Sequence, residues 1–210
     1  MTYLRLFVLI VFMFTVAACS PTAPGGTSPT TAPTPTTSAP TEVPATDAPT
    51  DAPAPTDAPA ANLPAWQTIP LVDARTGETF TLSDFAGKTV YVEPMATWCT
   101  NCRQQMRNLR DAIATLGTDD YVYIGLSVET NISASTLANY ADNQDFDWTF
   151  AVLSPEALVA LTDAFGRTIS NPPSTPHFVI RPDLSAGELQ AGRIKSADEL
   201  VDELTAASGA

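Results

Sequence analysis

Basic residues are scarce: ten Lys and Arg stand against 23 Asp and Glu, for a formal net charge of −13. There is no basic run and no interleaving of aromatic with basic residues. Phosphate recognition needs clustered Lys and Arg, so nucleic acid is excluded as a partner. Cysteine is just as sparse, with three residues, and histidine occurs once. Three cysteines cannot staple a disulfide-dense mini-fold. Aromatics amount to only 8%, yet apolar residues make up 44% of 210, enough for one ordinary domain with a buried core and accessory segments. The one long apolar stretch, residues 6–16, is too short to span a bilayer comfortably as a mature helix.

Proline, by contrast, is plentiful and unevenly placed: twelve of the 19 fall between Pro21 and Pro64. That stretch is neither helix nor central strand. Ahead of it, Arg5, the apolar stretch and a small-residue end read as a secretory signal over residues 1–18. Its last residues, Val16-Ala17-Ala18-Cys19, resemble the bacterial lipobox, in which the cysteine is lipidated and becomes the new N-terminus. Residues 19–62 are then a tether of Pro, Thr, Ala, Ser, Gly and Asp, with Thr-Asp-Ala-Pro starting at positions 46, 50 and 56. None of these units carries an apolar face to bury, so the segment is low-complexity chain and not a solenoid. In polyproline form it reaches at most roughly 130 Å. On this reading the protein is lipid-anchored to a cell membrane through Cys19 and works on its extracytoplasmic side.

Residues 63–210 read as one α/β unit. Ile69-Pro70-Leu71-Val72, a turn at Arg75-Thr76-Gly77-Glu78, and Thr79-Phe80-Thr81-Leu82 predict a short hairpin. The β-branched and aromatic run Thr89-Val90-Tyr91-Val92-Glu93 predicts a strand covered on both faces. Met106, Leu109, Ile113 and Leu116 recur at helical spacing after Cys99, and Gly117 supplies a stop. Further strands are expected at residues 121–128, 148–153 and 177–181. A helix is expected around Leu137, Tyr140 and Ala141, another after Ser154-Pro155, and a last one after the capping box Ser196-Ala197-Asp198-Glu199. Strands alternating with helices mean a mixed or parallel sheet with helices on both faces.

The chemistry sits at Trp98-Cys99-Thr100-Asn101-Cys102. Two cysteines three apart, at a strand-to-helix junction, are able to close a disulfide within one turn. The first falls at the helix N-terminus, where unpaired N–H groups and the dipole favour a thiolate; the second lies a turn in and is expected to be more buried. That asymmetry supplies an exposed attacking thiol, Cys99, and a resolving one, Cys102. Two other readings stand beside it: a zinc half-site, for which only His177 and Cys19 remain as ligands, and a structural disulfide, which closes too short a loop to contribute much stability. Haem attachment is excluded, because Arg103 and not His follows the second cysteine.

Strand, Trp-Cys-x-x-Cys, helix, and then Ser174-Thr175-Pro176-His177-Phe178 resemble a thioredoxin fold. With the tether and leading hairpin, the chain most resembles the membrane-anchored TlpA/ResA-like thiol–disulfide oxidoreductases, of the redoxin type. The resemblance implies a central mixed sheet flanked by helices with an N-terminal β-hairpin extension, and an enzyme exchanging disulfides with protein dithiols. It implies a cis-proline at Pro176, a backbone site for the incoming chain at Thr175, and Trp98 as a substrate-contacting lid. Glu93, six residues before Cys99, matches the buried acid of thioredoxin, although Pro94 after it predicts a bulge that would turn it away. Gln105 stands where some ResA-like reductases carry an acid. Arg103 and Arg107 flank the pair, whereas Trp66 and Trp148 read as core and His177 as a strand residue. No cofactor or metal is called for beyond the Cys99–Cys102 disulfide. The expected partners are protein dithiols and disulfides, apocytochrome c among them, and a membrane electron donor serving a monomer. Thr100-Asn101 holds no His or Lys to stabilise a thiolate, which favours the reducing direction. The rival function is a thioredoxin-fold copper chaperone using Cys99, Cys102 and His177. A peroxidase fits less well, since Pro94, Thr97 and Cys99 are too closely spaced for the peroxiredoxin signature.

Overall fold

The computed structural model describes residues 63–209. The signal, Cys19 and the tether lie outside the described residues. A four-residue helix, α1 (Ala65–Thr68), leads into the predicted hairpin of β1 (Leu71–Val72) and β2 (Thr79–Phe80), which pair antiparallel with Leu71 opposite Phe80. The main sheet contains β3 (Thr89–Met95), β4 (Tyr121–Ser127), β5 (Thr149–Val152) and β6 (Phe178–Ile180) in the order β5-β4-β3-β6. β3, β4 and β5 run parallel and β6 antiparallel. Helices α2 (Thr100–Leu116), α3 (Ala134–Asn143), α4 (Pro155–Phe165) and α5 (Ala197–Ser208) complete the mixed α/β layers expected from the sequence.

The helices begin where the capping chemistry puts them. Ser154 Oγ accepts from Ala157 N–H at 3.1 Å ahead of Pro155, and Ser196 and Glu199 close a capping box on α5. Gly117, at φ 75°, ends α2 in a conformation that disfavours side chains.

Strand alternation sorts the core into two faces. Val90, Val92, Ile124, Leu126, Phe178 and Ile180 pack on one side with Trp66 and α4. Tyr91, Met95, Tyr123, Phe150 and Val179 point to the other, under α2, α3 and α5. Trp148 is only partly buried, at the margin of that second face. Both sheet edges are covered. The hairpin docks beside β5 through Ala74 N–H to Phe150 C=O at 2.7 Å, and residues 186–190 bridge the outer side of β6. Arg75 ties the hairpin down, with Nε on Asp142, Nη1 on the Trp148 carbonyl and Nη2 on the Phe146 carbonyl.

β3 runs straight through Pro94, contrary to the bulge the sequence predicts: Glu93 pairs with Gly125 and Pro94 with Leu126 in unbroken register. The reason lies in the alternation of peptide directions. The Met95 carbonyl bonds to Val128 N–H on the β4 side, so the Pro94 nitrogen faces β6. There the ladder has already ended at Val92–Phe178, and no donor is missed.

Gly125 is required by its neighbour, since a Cβ built there lies 2.6 Å from Phe150 Cδ1. Gly125→Ala therefore overpacks the α2-facing side of the sheet, and its urea midpoint should fall by an amount corresponding to about 1–3 kcal/mol. An unchanged midpoint contradicts the packing described.

Candidate active site

Cys99 occupies the position preceding α2 in extended backbone (φ −77°, ψ 109°), and its Sγ accepts the Cys102 N–H at 3.1 Å. The two residues form the disulfide that their spacing allows, with Cα atoms 5.4 Å apart. Cys102 is fully buried as expected, but Cys99 is only 2% exposed, so the predicted contrast in accessibility is slight in the disulfide form. The cause is packing of both sulfurs among Met95, Ala96 and Met106. Trp98, immediately before, is 61% exposed and free to meet another molecule.

Approach to the pair is shaped by residues 172–176. A 3-10 turn at Pro172–Ser174 places the Pro172 carbonyl 3.2 Å from Cys102 Sγ, and Asn101 Nδ2 donates to the Pro173 carbonyl at 2.8 Å. One expectation is corrected here. Among the described residues no peptide is cis, so Thr175–Pro176 is trans; the chain reverses instead at Thr175, which takes a left-handed conformation (φ 50°, ψ 55°). Thr175 is also buried and its N–H already donates to Pro172 C=O at 2.8 Å, because the turn closes on itself. Its hydroxyl donates to the Arg193 carbonyl at 2.8 Å.

Glu93 is buried, as its match to the thioredoxin acid implies and against the turning-away expected from Pro94. It shares the α2-facing side of β3 with Tyr91, whose hydroxyl meets Gln105 of α2, and with Met95, which packs beside both cysteines. The carboxyl thus lies under the opening turns of α2. Tyr91 Oη donates to Oε2 at 3.0 Å, while Oε1 has no partner among the described residues. Loss of water pushes this carboxyl up to about 8, against the smaller opposing effect of the Tyr91 hydrogen bond.

Two features escaped sequence reasoning. Glu129, just past β4, accepts from Thr97 N–H at 2.6 Å and from the Thr97 hydroxyl at 3.2 Å, while Arg103 Nη2 donates to the Thr97 carbonyl at 3.3 Å. The segment entering Cys99 is thereby held from both sides. The only available signal was positional: loops after adjacent parallel strands meet at the same end of a sheet. His177, the sole histidine, is not an ordinary strand residue. It precedes β6, is buried, stacks on Tyr91 with ring centroids 5.3 Å apart, and reaches Gln105 and Glu203 with its two nitrogens. Arg107 turns away from the sulfurs to Gln144. Among the described residues no three His, Cys, Asp or Glu side chains gather as a metal-ligand set, and no helix is long and apolar enough to cross a membrane.

Comparison with known proteins agrees with this arrangement. Residues 56–184 match the AhpC/TSA family. Among solved structures, the chain is similar to a putative electron transfer protein from Aquifex aeolicus (24% identity, TM-score 0.58, covering 69% of this chain and 96% of that one). It is also similar to a thioredoxin-family thiol:disulfide interchange protein from Chlorobium tepidum (20% identity, TM-score 0.54, covering 66% and 93%). A third relative in fold is a secreted Mycobacterium tuberculosis disulfide oxidoreductase (13% identity, TM-score 0.53, covering 67% and 97%). The chain belongs to the AhpC/TSA family and carries, on a thioredoxin fold, the Cys-x-x-Cys disulfide of a thiol–disulfide oxidoreductase.

Proposed function

We propose that the protein is a lipid-anchored, extracytoplasmic reductase of protein disulfides. The observation that carries this reading is the Cys99–Cys102 disulfide at the start of α2, with a buried, partly unsatisfied carboxyl under the same helix. In the reduced protein, Cys99 thiolate attacks a substrate disulfide; one substrate sulfur leaves and takes up a proton, and a mixed disulfide remains. Cys102 then gives its proton to Glu93 and attacks Cys99 Sγ, and the second substrate sulfur departs as a thiol once protonated. Two electrons have passed to the substrate, and a membrane donor must return two to the Cys99–Cys102 disulfide.

The reducing direction is supported by what surrounds Cys99. Neither Thr100 nor Asn101 is cationic, and the Asn101 amide is turned to Pro173, so the dipeptide adds nothing to the α2 N-terminus in favouring the thiolate. The disulfide of an apocytochrome c, reduced to thiols before haem attachment, is one substrate of this class. Trp98 is the proposed substrate contact. The protein is taken to act as a monomer, held at the membrane by lipid on Cys19 and the tether of residues 19–62. The copper reading is disfavoured, because both His177 nitrogens already face protein partners.

A Cys102→Ser protein should accumulate mixed disulfides with substrate proteins through Cys99, and Cys99→Ser should not; trapping by Cys99→Ser alone overturns the assignment. Insulin reduction should be lost in both.

Cells fed labelled palmitate should show label on the wild type and none on Cys19→Ser. Equal labelling of the two removes the anchor from this account.

Glu93 yields a prediction in both rate and stability. Its folded-state value of about 8 lies above the ordinary 4.5, so the folded protein holds a proton that the unfolded chain releases. That contribution is fully present below 4.5 and is lost as pH rises through 8. Between pH 5 and pH 9 the oxidised wild type should lose on the order of a few kcal/mol of stability from this group, and Glu93→Gln should lose none of it. Single-turnover resolution should slow at least about tenfold in Glu93→Gln near neutral pH and lose one ionisation from its profile. Matching rates and pH profiles would make Glu93 structural.

A further inference from the structure

Beyond Glu93, three more buried polar groups, Tyr91, Gln105 and His177, lie in an unbroken series that ends at the partly buried Glu203. Gln105 Nε2 lies 3.2 Å from Tyr91 Oη and 3.1 Å from His177 Nδ1, and Gln105 Oε1 accepts the Lys195 N–H at 2.8 Å. His177 Nε2 lies 3.3 Å from Glu203 Oε2, which also accepts from Lys195 Nζ at 2.6 Å. Tyr91, Gln105 and His177 are all essentially without solvent contact.

The hydrogen positions in this series follow from one fixed donor. A backbone N–H can only donate, so the Lys195 amide identifies the Gln105 oxygen and leaves its NH₂ group facing Tyr91 and His177. The Tyr91 oxygen, receiving one proton, must direct its own to its remaining partner, Glu93 Oε2. Nδ1 of His177, receiving the other, must be bare, which places the ring proton on Nε2 toward Glu203. The Thr175 carbonyl 3.2 Å from Nδ1 then receives no proton from the ring. A glutamate at position 105 would lack these donors and would introduce a second ionisation; glutamine introduces none.

We propose that Gln105 is a positioning residue: it holds the Tyr91 hydroxyl proton on Glu93 Oε2 and thereby confines proton exchange with Cys102 to Glu93 Oε1. This inference rests on the role given to Glu93 above. With Oε2 occupied as an acceptor, the neutral acid carries its proton on Oε1, the oxygen without a partner among the described residues. The balance is one proton: Cys102 Sγ–H breaks, Oε1–H forms, and the resulting thiolate attacks Cys99 Sγ. Gln105 changes neither electrons nor protons. It polarises Tyr91, and a hydroxyl that accepts one hydrogen bond donates a stronger one.

The titratable groups that face Glu93 are Tyr91 on its own strand and Tyr140 of α3, whose hydroxyl responds to Glu93 and also to Arg103 of α2. Across Gln105 stand His177, Lys195 and Glu203 of α5. Gly125, opposite Glu93 on β4, contributes none.

The first test needs no variant. His177 is the only histidine, so ¹⁵N labelling of the ring gives an unambiguous signal in the oxidised full chain. The ring proton is expected on Nε2 with Nδ1 bare; a proton on Nδ1 overturns the assignment. The second test follows the Glu93 carboxyl by ¹³C in Tyr91→Phe, Gln105→Met and the double variant. Either single change should raise the midpoint by about half to one pH unit, because a bond to the charged form is lost or weakened, and the double variant should move no further than Tyr91→Phe. Additive shifts overturn the proposal. Resolution by Gln105→Met should be about three- to tenfold slower at pH 7, with KM unchanged and the rate recovered at higher pH. If Glu93→Gln resolves as fast as wild type while the shifts remain non-additive, the catalytic role of Glu93 fails and the positioning stands. If Glu93→Gln is slow but the shifts add, only the positioning fails.

Discussion

The helix that carries the disulfide begins on a sulfur. Cys99 Sγ takes the Cys102 N–H in the way that a serine or aspartate oxygen does at other helix starts, so one contact both caps α2 and brings the two cysteines to bonding distance. Much else around the site keeps that contact in place. Glu129 and Arg103 fix Thr97 at its entrance, Met95 and Met106 pack around the sulfurs, and the 3-10 turn at Pro172–Ser174 closes over Cys102. Reduction leaves the same N–H facing a sulfur that has gained charge, so the cap strengthens when the bond is broken.

The carboxylates near the pair show how far environment decides the behaviour of one residue type. Burial dominates at Glu93, and a single tyrosine hydroxyl does not offset it. At Glu203 burial also raises the carboxyl, but His177 and Lys195 outweigh it and hold the group below its ordinary value. The two acids stand at opposite ends of the same buried polar series, one inclined to keep a proton and the other to give it up. Gln105 between them conducts no charge; it sets directions.

Most of the architecture was legible because each element carries its own signal. The β-branched and aromatic run at residues 89–93, the apolar spacing of Met106, Leu109 and Ile113, and the caps at Ser154 and Ser196 located strands and helices to within a residue or two. The cysteine pair could likewise be placed from local pattern, and Glu93 and Trp98 from the resemblance. What could not be read depends on distant parts of the chain. Nothing near Gln105 discloses that Lys195 supplies its partner, or that Glu129 waits beside Thr97. The course of β3 through Pro94 was unreadable for a related reason, since it depends on which neighbouring strand the missing N–H faces. At Pro176 the expected isomer presumed that the proline makes the turn, whereas Thr175 makes it.

Proline also determines what an approaching polypeptide finds. Between residues 172 and 176 three of five positions are proline, and the two amides that remain are already engaged, Ser174 with the Asn171 carbonyl and Thr175 with that of Pro172. Pro94 adds a fourth position without a donor at the neighbouring end of β3. This rim has no free amide to offer, and since the Pro172, Pro173 and Ser174 carbonyls already accept within the protein, those of Thr175 and Pro176 are left to receive another chain. Pairing along it is consequently one-sided, and the visiting chain must bring the donors: a segment with its own prolines in that register would find no backbone grip there.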